Sequence, residues 1–374
     1  MTQPIAFIDL AAQRRRIARE IDAAISRVLD HGSFISGPEV AEFEKRLAAF
    51  CDAGFAIACG NGTDALQLAL MAKGIGAGDA VFVPDFTFTA TAEAVALVGA
   101  TPVFVDVQMD DFNVDSAQLE IGLRTAKAAG LRPRAVISVD LFGLSADYDS
   151  LNAFCGANDL VLIADAAQSF GASFRGRKVG ALAPITTTSF FPAKPLGCYG
   201  DGGAILTDDA ELASALRSLR VHGQGTDKYD NVRIGVNSRL DTLQAGILMC
   251  KLDIFADEIE KRQVVAARYT RALGNRVITP TVPADCVSVW AQYTIRISGG
   301  RRDAVAAKLK ADGIPTAIYY PKPLHRQTAY RHFPWTGALD VSDRLSAETL
   351  SLPMHPYLDE ATQSRVVQAL ERAL

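Results

Sequence analysis

Between residues 55 and 207 the chain alternates short strand-like runs with helical segments, and this alternation leaves few folds open. The runs are Phe55–Cys59, Ala80–Val83, Pro102–Asp106, Ala135–Val139 and Leu160–Ile163, with Ala204–Thr207 further on. Strands that alternate with helices predict an α/β fold built on a parallel sheet. In such a sheet ligands are held beyond the carboxyl ends of the strands. Chemistry-bearing residues are therefore sought in the turns that follow the runs.

Gly60-Asn61-Gly62-Thr63 follows the first run, and Asp64 to Leu70 opens a helix. A strand, a glycine turn and a helix N-terminus together make an anion site, because unpaired N–H groups and the positive dipole end point at one place. The same residues also suit an ordinary turn and cap. The second run ends in Pro84-Asp85-Phe86-Thr87-Phe88-Thr89-Ala90-Thr91. Its aromatics serve either core packing or a flat ligand. Leu160–Ile163 leads into Ala164-Asp165-Ala166-Ala167-Gln168. A carboxylate directly after four buried-type residues needs a cationic partner, unless Asp165 is a helix N-cap.

One lysine stands out. Lys194 lies in Ser189-Phe190-Phe191-Pro192-Ala193-Lys194-Pro195-Leu196-Gly197, with a glycine-rich turn, Gly200-Asp201-Gly202-Gly203, after it. Pro192 and Pro195 fix φ on either side. A partly desolvated lysine has a lowered pKa and serves as an amine nucleophile toward a carbonyl.

Elsewhere the pattern is mainly helical. Apolar spacing predicts helices over 11–31, 38–51, 210–220 and 240–273. A long polar loop runs from His222 to Asp241, and long loops in compact domains are usually functional or disordered. From about residue 275 short strands and helices suggest a smaller α+β domain. The expected division is a large domain over 1–250 and a small one over 251–374. Lys plus Arg number 38 and Asp plus Glu 42, a net charge of −4 that argues against nucleic acid or an anionic membrane as partner. No apolar run is long enough to cross a bilayer. The opening Met1-Thr2-Gln3-Pro4-Ile5 lacks the order of a signal peptide. Six scattered cysteines, without Cys-x-x-Cys or a Cys/His cluster, fit a reduced, cytoplasmic chain with no metal site.

An anion-binding turn (Gly62, Thr63, Asp64), an aromatic face (Phe88), a buried acid (Asp165) and a lysine nucleophile (Lys194) all fall at strand ends. A cofactor with a phosphate, a flat ring, a basic ring nitrogen and an aldehyde uses every one of them, and pyridoxal 5'-phosphate is such a molecule. The sequence also resembles the DegT/DnrJ/StrS family of pyridoxal-phosphate-dependent nucleotide-sugar aminotransferases. The resemblance runs from Phe7-Ile8-Asp9-Leu10 to Leu352-Pro353-Met354-His355-Pro356, through Asn61-Gly62-Thr63-Asp64, Asp165-Ala166-Ala167-Gln168, Ser189-Phe190-Phe191-Pro192-x-Lys194 and Asn237-Ser238-Arg239-Leu240-Asp241.

The resemblance implies fold type I, with a mostly parallel seven-stranded sheet in the large domain. It implies that Lys194 bonds the cofactor and shuttles the proton, that Asp165 faces the ring nitrogen, and that Gln168 meets the phenolic oxygen. Phe88 would stack on the ring, and Thr63, Asp64 (through its N–H) and Ser189 would hold the phosphate. Asn237 would reach the phosphate of a partner subunit, making the active unit a homodimer. Arg239 would meet an anionic group of the sugar. Loop position adds Phe34, His222, Tyr229, Tyr319 and His325 as candidate substrate contacts. The implied reaction moves the amino group of L-glutamate onto C3 of a UDP-linked 2-acetamido-2-deoxy-3-keto-hexuronic acid, for surface polysaccharide such as O-antigen. One position departs from the pattern: Tyr319 precedes Tyr320-Pro321 where such sequences carry His. A 4-keto-6-deoxy sugar nucleotide is the alternative acceptor. A non-catalytic sensor on the same fold is a further alternative, disfavoured by the intact Lys194, Asp165 and Gln168.

Overall fold

The computed structural model describes residues 4–227, 229–274 and 276–374. Met1 to Gln3, Lys228 and Asn275, which fall within the N-terminal and loop readings above, lie outside the described residues. The chain opens with helices α1 (Leu10–Arg16), α2 (Ala18–His31) and α3 (Pro38–Cys51). The periodicity predicts one helix over 11–31, but the backbone breaks at Ile17 (φ −123°, ψ 35°). Gln13 of α1 reaches Glu258 across the fold. Gly32, at φ 68°, ends α2 in the left-handed conformation that glycine adopts without a Cβ penalty.

Strands β1 (Phe55–Cys59), β2 (Asp79–Pro84), β3 (Thr101–Val105), β4 (Arg132–Val139) and β5 (Val161–Asp165) follow the predicted runs. They alternate with helices α4 (Gly62–Ala72), α5 (Ala90–Leu97), α6 (Ser116–Ala128) and α7 (Tyr148–Ala157). The short strands β6 (Ser173–Phe174) and β7 (Arg177–Lys178) leave the main sheet. The chain then returns to it as β8 (Ile185–Ser189) and β9 (Gly203–Thr207). Asp115, Asp147 and Asp209 cap α6, α7 and α8 (Ala210–Leu219) with their carboxylates, each binding a first-turn N–H.

The main sheet has seven strands in the order β1-β9-β8-β5-β4-β2-β3. All neighbouring pairs are parallel except those made by β9, which runs against both β1 and β8. Side chains alternate between two apolar layers. Ala56, Ala58, Ala80 and Phe82 face one, and Ile57, Cys59, Val81 and Val83 face the other. This is the period of two that a sheet covered by helices on both faces demands.

The 32-residue helix α9 (Thr242–Leu273) joins this body to the rest. Its Leu248, Phe255 and Ile259 pack in the sheet core, while Val265, Tyr269 and Leu273 pack in a separate C-terminal core. There β11 (Tyr293–Arg296) pairs antiparallel with β12 (Thr349–Leu352), and helices α10 (Arg302–Ala311) and α12 (Glu360–Ala373) complete the core. β10 (Cys286–Val287) pairs with β6 beside the sheet core, and Leu345 of α11 (Asp340–Glu348) packs with Phe86, Val107 and Leu141.

Phe255 of α9 is fully buried, stacked on Phe170 at 5.9 Å and tilted against Phe50 at 5.6 Å. Phe255→Ala should therefore cost about 3–5 kcal/mol, read as a lowered urea midpoint with little change in slope.

Candidate active site

The register of the main sheet sets three positions side by side at one edge. Cys59 pairs with Gly203, and Gly203 pairs with Ser189. The N-terminus of α4 lies against this row. A Cβ on Gly62 would stand 2.8 Å from Cβ of Ser189, and one on Gly203 would stand 2.4 Å from the Asn61 carbonyl oxygen, so neither position has room for a side chain. The first-turn N–H groups of α4 thus approach the Ser189 hydroxyl. Asn61 Oδ1 accepts from the Asp64 N–H at 2.8 Å.

In this structure the Asn61 side chain caps the Asp64 N–H, and Gly62 and Thr63 carry the first-turn N–H groups that have no helical acceptor. The Asp64 carboxylate turns outward to accept from Ser238 Oγ at 2.6 Å, and Ser238 Oγ accepts from the Gly60 N–H at 2.9 Å. This pins the 237–239 segment to the head of α4. Asn237 is exposed beside it, and Arg239 is half-buried with its Nε unpartnered. Ser238 escaped the sequence reading because its partners lie 174 and 178 residues away.

Asp165 ends β5 and is 7% exposed. Its Oδ1 accepts from the Ala167 N–H at 3.1 Å and its Oδ2 from Thr91 Oγ at 3.3 Å. Burial raises its pKa, against the Ala167 N–H, the Lys194 charge and Thr91. The Lys194 amine is pushed down by burial and pulled back up by Asp165. The two groups feel each other, yet no ion pair within 4 Å joins them among the described residues. The structure thus sets a buried carboxylate and a half-buried lysine within electrostatic reach of each other without an ion pair between them.

Around them the backbone is tightly held. The Lys194 N–H donates to the Phe191 carbonyl at 2.8 Å, and Lys251 Nζ of α9 donates to the Gly197 carbonyl at 2.5 Å. Lys251 is 1% exposed and lies over the Tyr199 ring at 4.2 Å, and burial pushes its pKa down to about 8. Gln168 Oε1 accepts from the Phe142 N–H at 2.7 Å, and Nε2 donates to Tyr320 Oη at 3.1 Å. Tyr320 lies 6.2 Å from Phe88, which is 53% exposed, whereas Phe86 is buried in the core. Phe88, Tyr320, Thr89 and Lys322 border an open cleft of about 450 Å³.

Asp140, at the end of β4, backs this group. It accepts from Tyr148 Oη, Ser169 Oγ and the Ala146 N–H, and its own N–H donates to the Asp165 carbonyl. Burial lifts its pKa to about 7. It repeats the signal of Asp165, an acid directly after a strand, and could have been found by it.

The remaining candidates are dispersed. His325 is committed to Asp85: its N–H donates to Oδ1 at 2.8 Å and its Nδ1 contacts Oδ2 at 2.7 Å. Tyr319 is half-buried, and its carbonyl accepts from Thr349 Oγ1. Phe34 and Tyr229 are 47% and 86% exposed, and His222 is exposed on the polar loop at φ 57°.

The profile of the DegT/DnrJ/EryC1/StrS aminotransferase family matches residues 15–371. The chain is 50% identical over 367 residues to a UDP-2-acetamido-2-deoxy-3-oxo-D-glucuronate aminotransferase of Pseudomonas aeruginosa, covering 98% of this chain and 99% of that one. A solved DegT/DnrJ/EryC1/StrS aminotransferase of Brucella abortus superposes with a TM-score of 0.96 at 54% identity, covering 98% and 99% of the two chains. NtdA of Bacillus subtilis, solved with the bound cofactor PMP, superposes with a TM-score of 0.88 at 29% identity, covering 98% and 83%.

Ser238→Ala removes both bonds that tie the 237–239 segment to α4. It should destabilise the protein by about 1–3 kcal/mol, measured by urea unfolding, and Ser238→Thr should recover most of that loss.

Proposed function

The chain belongs to the DegT/DnrJ/EryC1/StrS aminotransferase family, and from that premise we propose that it moves the amino group of L-glutamate onto C3 of a UDP-linked 2-acetamido-2-deoxy-3-keto-hexuronic acid, with pyridoxal 5'-phosphate as cofactor. The observation that carries the cofactor is the donor set. A buried carboxylate without a contact cation, a desolvated amine, and a helix N-terminus bared by Gly62 beside Ser189 fit a ring nitrogen, an aldehyde and a phosphate. The half-exposed Phe88 supplies the stacking face and Gln168 the amide for the phenolic oxygen. Gly62, Thr63 and Ser189 hold the phosphate.

When bound, pyridoxal phosphate supplies a carbonyl that accepts and returns an amino group, and a cationic ring that draws electrons from the carbon being deprotonated. The protein's residues do the rest. Asp165, ionised, keeps a proton on the ring nitrogen. Lys194 Nζ, favoured as the neutral amine by its burial, takes the proton from the donor's α-carbon and later delivers one to the sugar carbon that gains nitrogen. Arg239 offers a planar fork to the sugar's carboxylate. Tyr319, which departs from the His that the resemblance implies before Tyr320-Pro321, weakens the uronic acid reading and keeps a second one in view, in which the acceptor is a 4-keto-6-deoxy sugar nucleotide.

We read the active unit as a homodimer, with Asn237 reaching the partner's phosphate site. The exposed apolar residues Phe34, Ile35, Val232 and Ile234 fit that reading, in which a partner subunit covers them. We also divide the chain into a cofactor-binding part over 1–250 and a smaller part over 251–374, with their cores meeting along α9. Service in the cytoplasm for surface polysaccharide completes the proposal. No helix among the described residues is long and apolar enough to cross a membrane.

The loaded protein should be yellow, should bleach with L-glutamate, and should regain its colour with the 3-keto uronic acid nucleotide. Recovery only with a 4-keto-6-deoxy nucleotide would select the second reading. A protein that stays colourless after incubation with pyridoxal phosphate would overturn both. Lys194→Ala should still bind the cofactor while turnover falls by about 10²–10⁴-fold, and a near-normal rate would remove Lys194 from the proton transfer.

A further inference from the structure

Gln168 is gripped from two sides. Its Oε1 accepts from the Phe142 N–H at 2.7 Å, and its Nε2 donates to Tyr320 Oη at 3.1 Å. An amide oxygen seated on a main-chain donor admits one orientation, because the flipped amide would set N–H against N–H. Nε2 therefore lies on the side of Tyr320, which lines the open cleft with Phe88. It carries two protons, so one remains for a ligand after Tyr320 takes the other.

Phe142 does not reach that position by its own preference. Its backbone is left-handed (φ 58°, ψ 8°), although the residue is bulky. Such a conformation costs about 1–3 kcal/mol and persists only where the surroundings over-determine it. Leu141 N–H donates to Asn113 Oδ1 at 2.9 Å, and Asn113 Nδ2 donates to the Leu144 carbonyl at 3.2 Å. The Ala146 N–H donates to Asp140 Oδ1 at 2.9 Å, which closes the 140–146 loop on its own first residue.

The turn that carries Gln168 is tied to the same carboxylate. The Ser169 and Phe170 N–H groups both donate to the Ala166 carbonyl at 3.1 Å, and Ser169 Oγ donates to Asp140 Oδ2 at 2.7 Å. Asp140 is fully buried, and Tyr148 Oη of α7 donates to its Oδ1 at 2.8 Å. One carboxylate oxygen thus holds the loop that supplies the donor, and the other holds the turn that supplies the amide.

We propose that Asp140 is a positioning residue for Gln168: its carboxylate spans the 140–146 loop and the 166–170 turn, and so keeps Nε2, not Oε1, on the side of Tyr320. What this does for the cofactor rests on Gln168 meeting the phenolic oxygen, as proposed above, whereas the grip on the amide does not.

Crystals of the wild-type protein and of Asp140→Ala, both without cofactor, test the grip. In the variant Gln168 Oε1 should leave the Phe142 N–H, with the amide turned or displaced. A contact that survives there overturns the proposal. Titration with pyridoxamine 5'-phosphate, which has the phenolic oxygen but forms no bond to Lys194, tests what the grip is for. Asp140→Ala should weaken its binding by about 10-fold, the scale of one lost hydrogen bond to a charged group. Asp140→Asn keeps an oxygen for Ala146 and Tyr148 and offers an NH₂ to the Ser169 hydroxyl, so it should recover most of that loss. In a Gln168→Ala background, Asp140→Ala should weaken binding by no more than about twofold, since residues acting through one contact are not additive. An equal loss in both backgrounds overturns the positioning role. If Asp140→Ala does not fold, Ser169→Ala removes the Oδ2 arm alone and is read by the same two measurements. A protein in which Asp140→Ala frees the amide but which binds no pyridoxamine phosphate sinks only the functional reading, while a protein that binds it with the amide unmoved sinks only this one.

Discussion

Asp165, buried, and Lys194, half-buried, feel each other's charge without forming an ion pair. Desolvation penalises each charged form, driving the acid toward its proton and the amine away from its own. A ligand bringing a cationic nitrogen to one and a carbonyl to the other relieves both penalties. Thr91 and the Ala167 N–H fix the Asp165 carboxylate in place without neutralising it, and the Asp140 N–H holds the Asp165 main chain.

The sheet makes this arrangement possible. Parallel strands deliver Asp140 and Asp165 to one edge in adjacent register, since Val139 pairs with Asp165. The reversed strand β9 begins at the same edge, between β1 and β8, and its first residue is a glycine because the Asn61 carbonyl occupies the space of a side chain. A helix dipole, a hydroxyl and an amine are thereby gathered without any loop having to cross the sheet.

What could be read from the sequence was whatever depends on near neighbours. The strand runs, the glycine at the head of α4, the acid after β5 and the lysine between prolines are local patterns, and the strands stand where the runs implied. Partnerships across distant parts of the chain left no such mark: Ser238 with Asp64, Gln168 with Tyr320, Gln13 with Glu258 and Lys251 with Gly197. The same limit hid the cap that Asn61 places on the Asp64 N–H, a matter of χ angles, and the bond between His325 and Asp85, 240 residues apart. The break at Ile17 was hidden because apolar spacing continues across it.

Helix α9 has a consequence for motion. Its 32 residues make a rod about 48 Å long, with one end embedded in the sheet core and the other in the C-terminal core. Two bodies threaded on one unbroken rod have no free pivot between them, for any swing of one against the other must bend the helix or unseat an end. The rod thus couples the two cores mechanically, so that strain at one end of α9 is felt at the far end of the same helix.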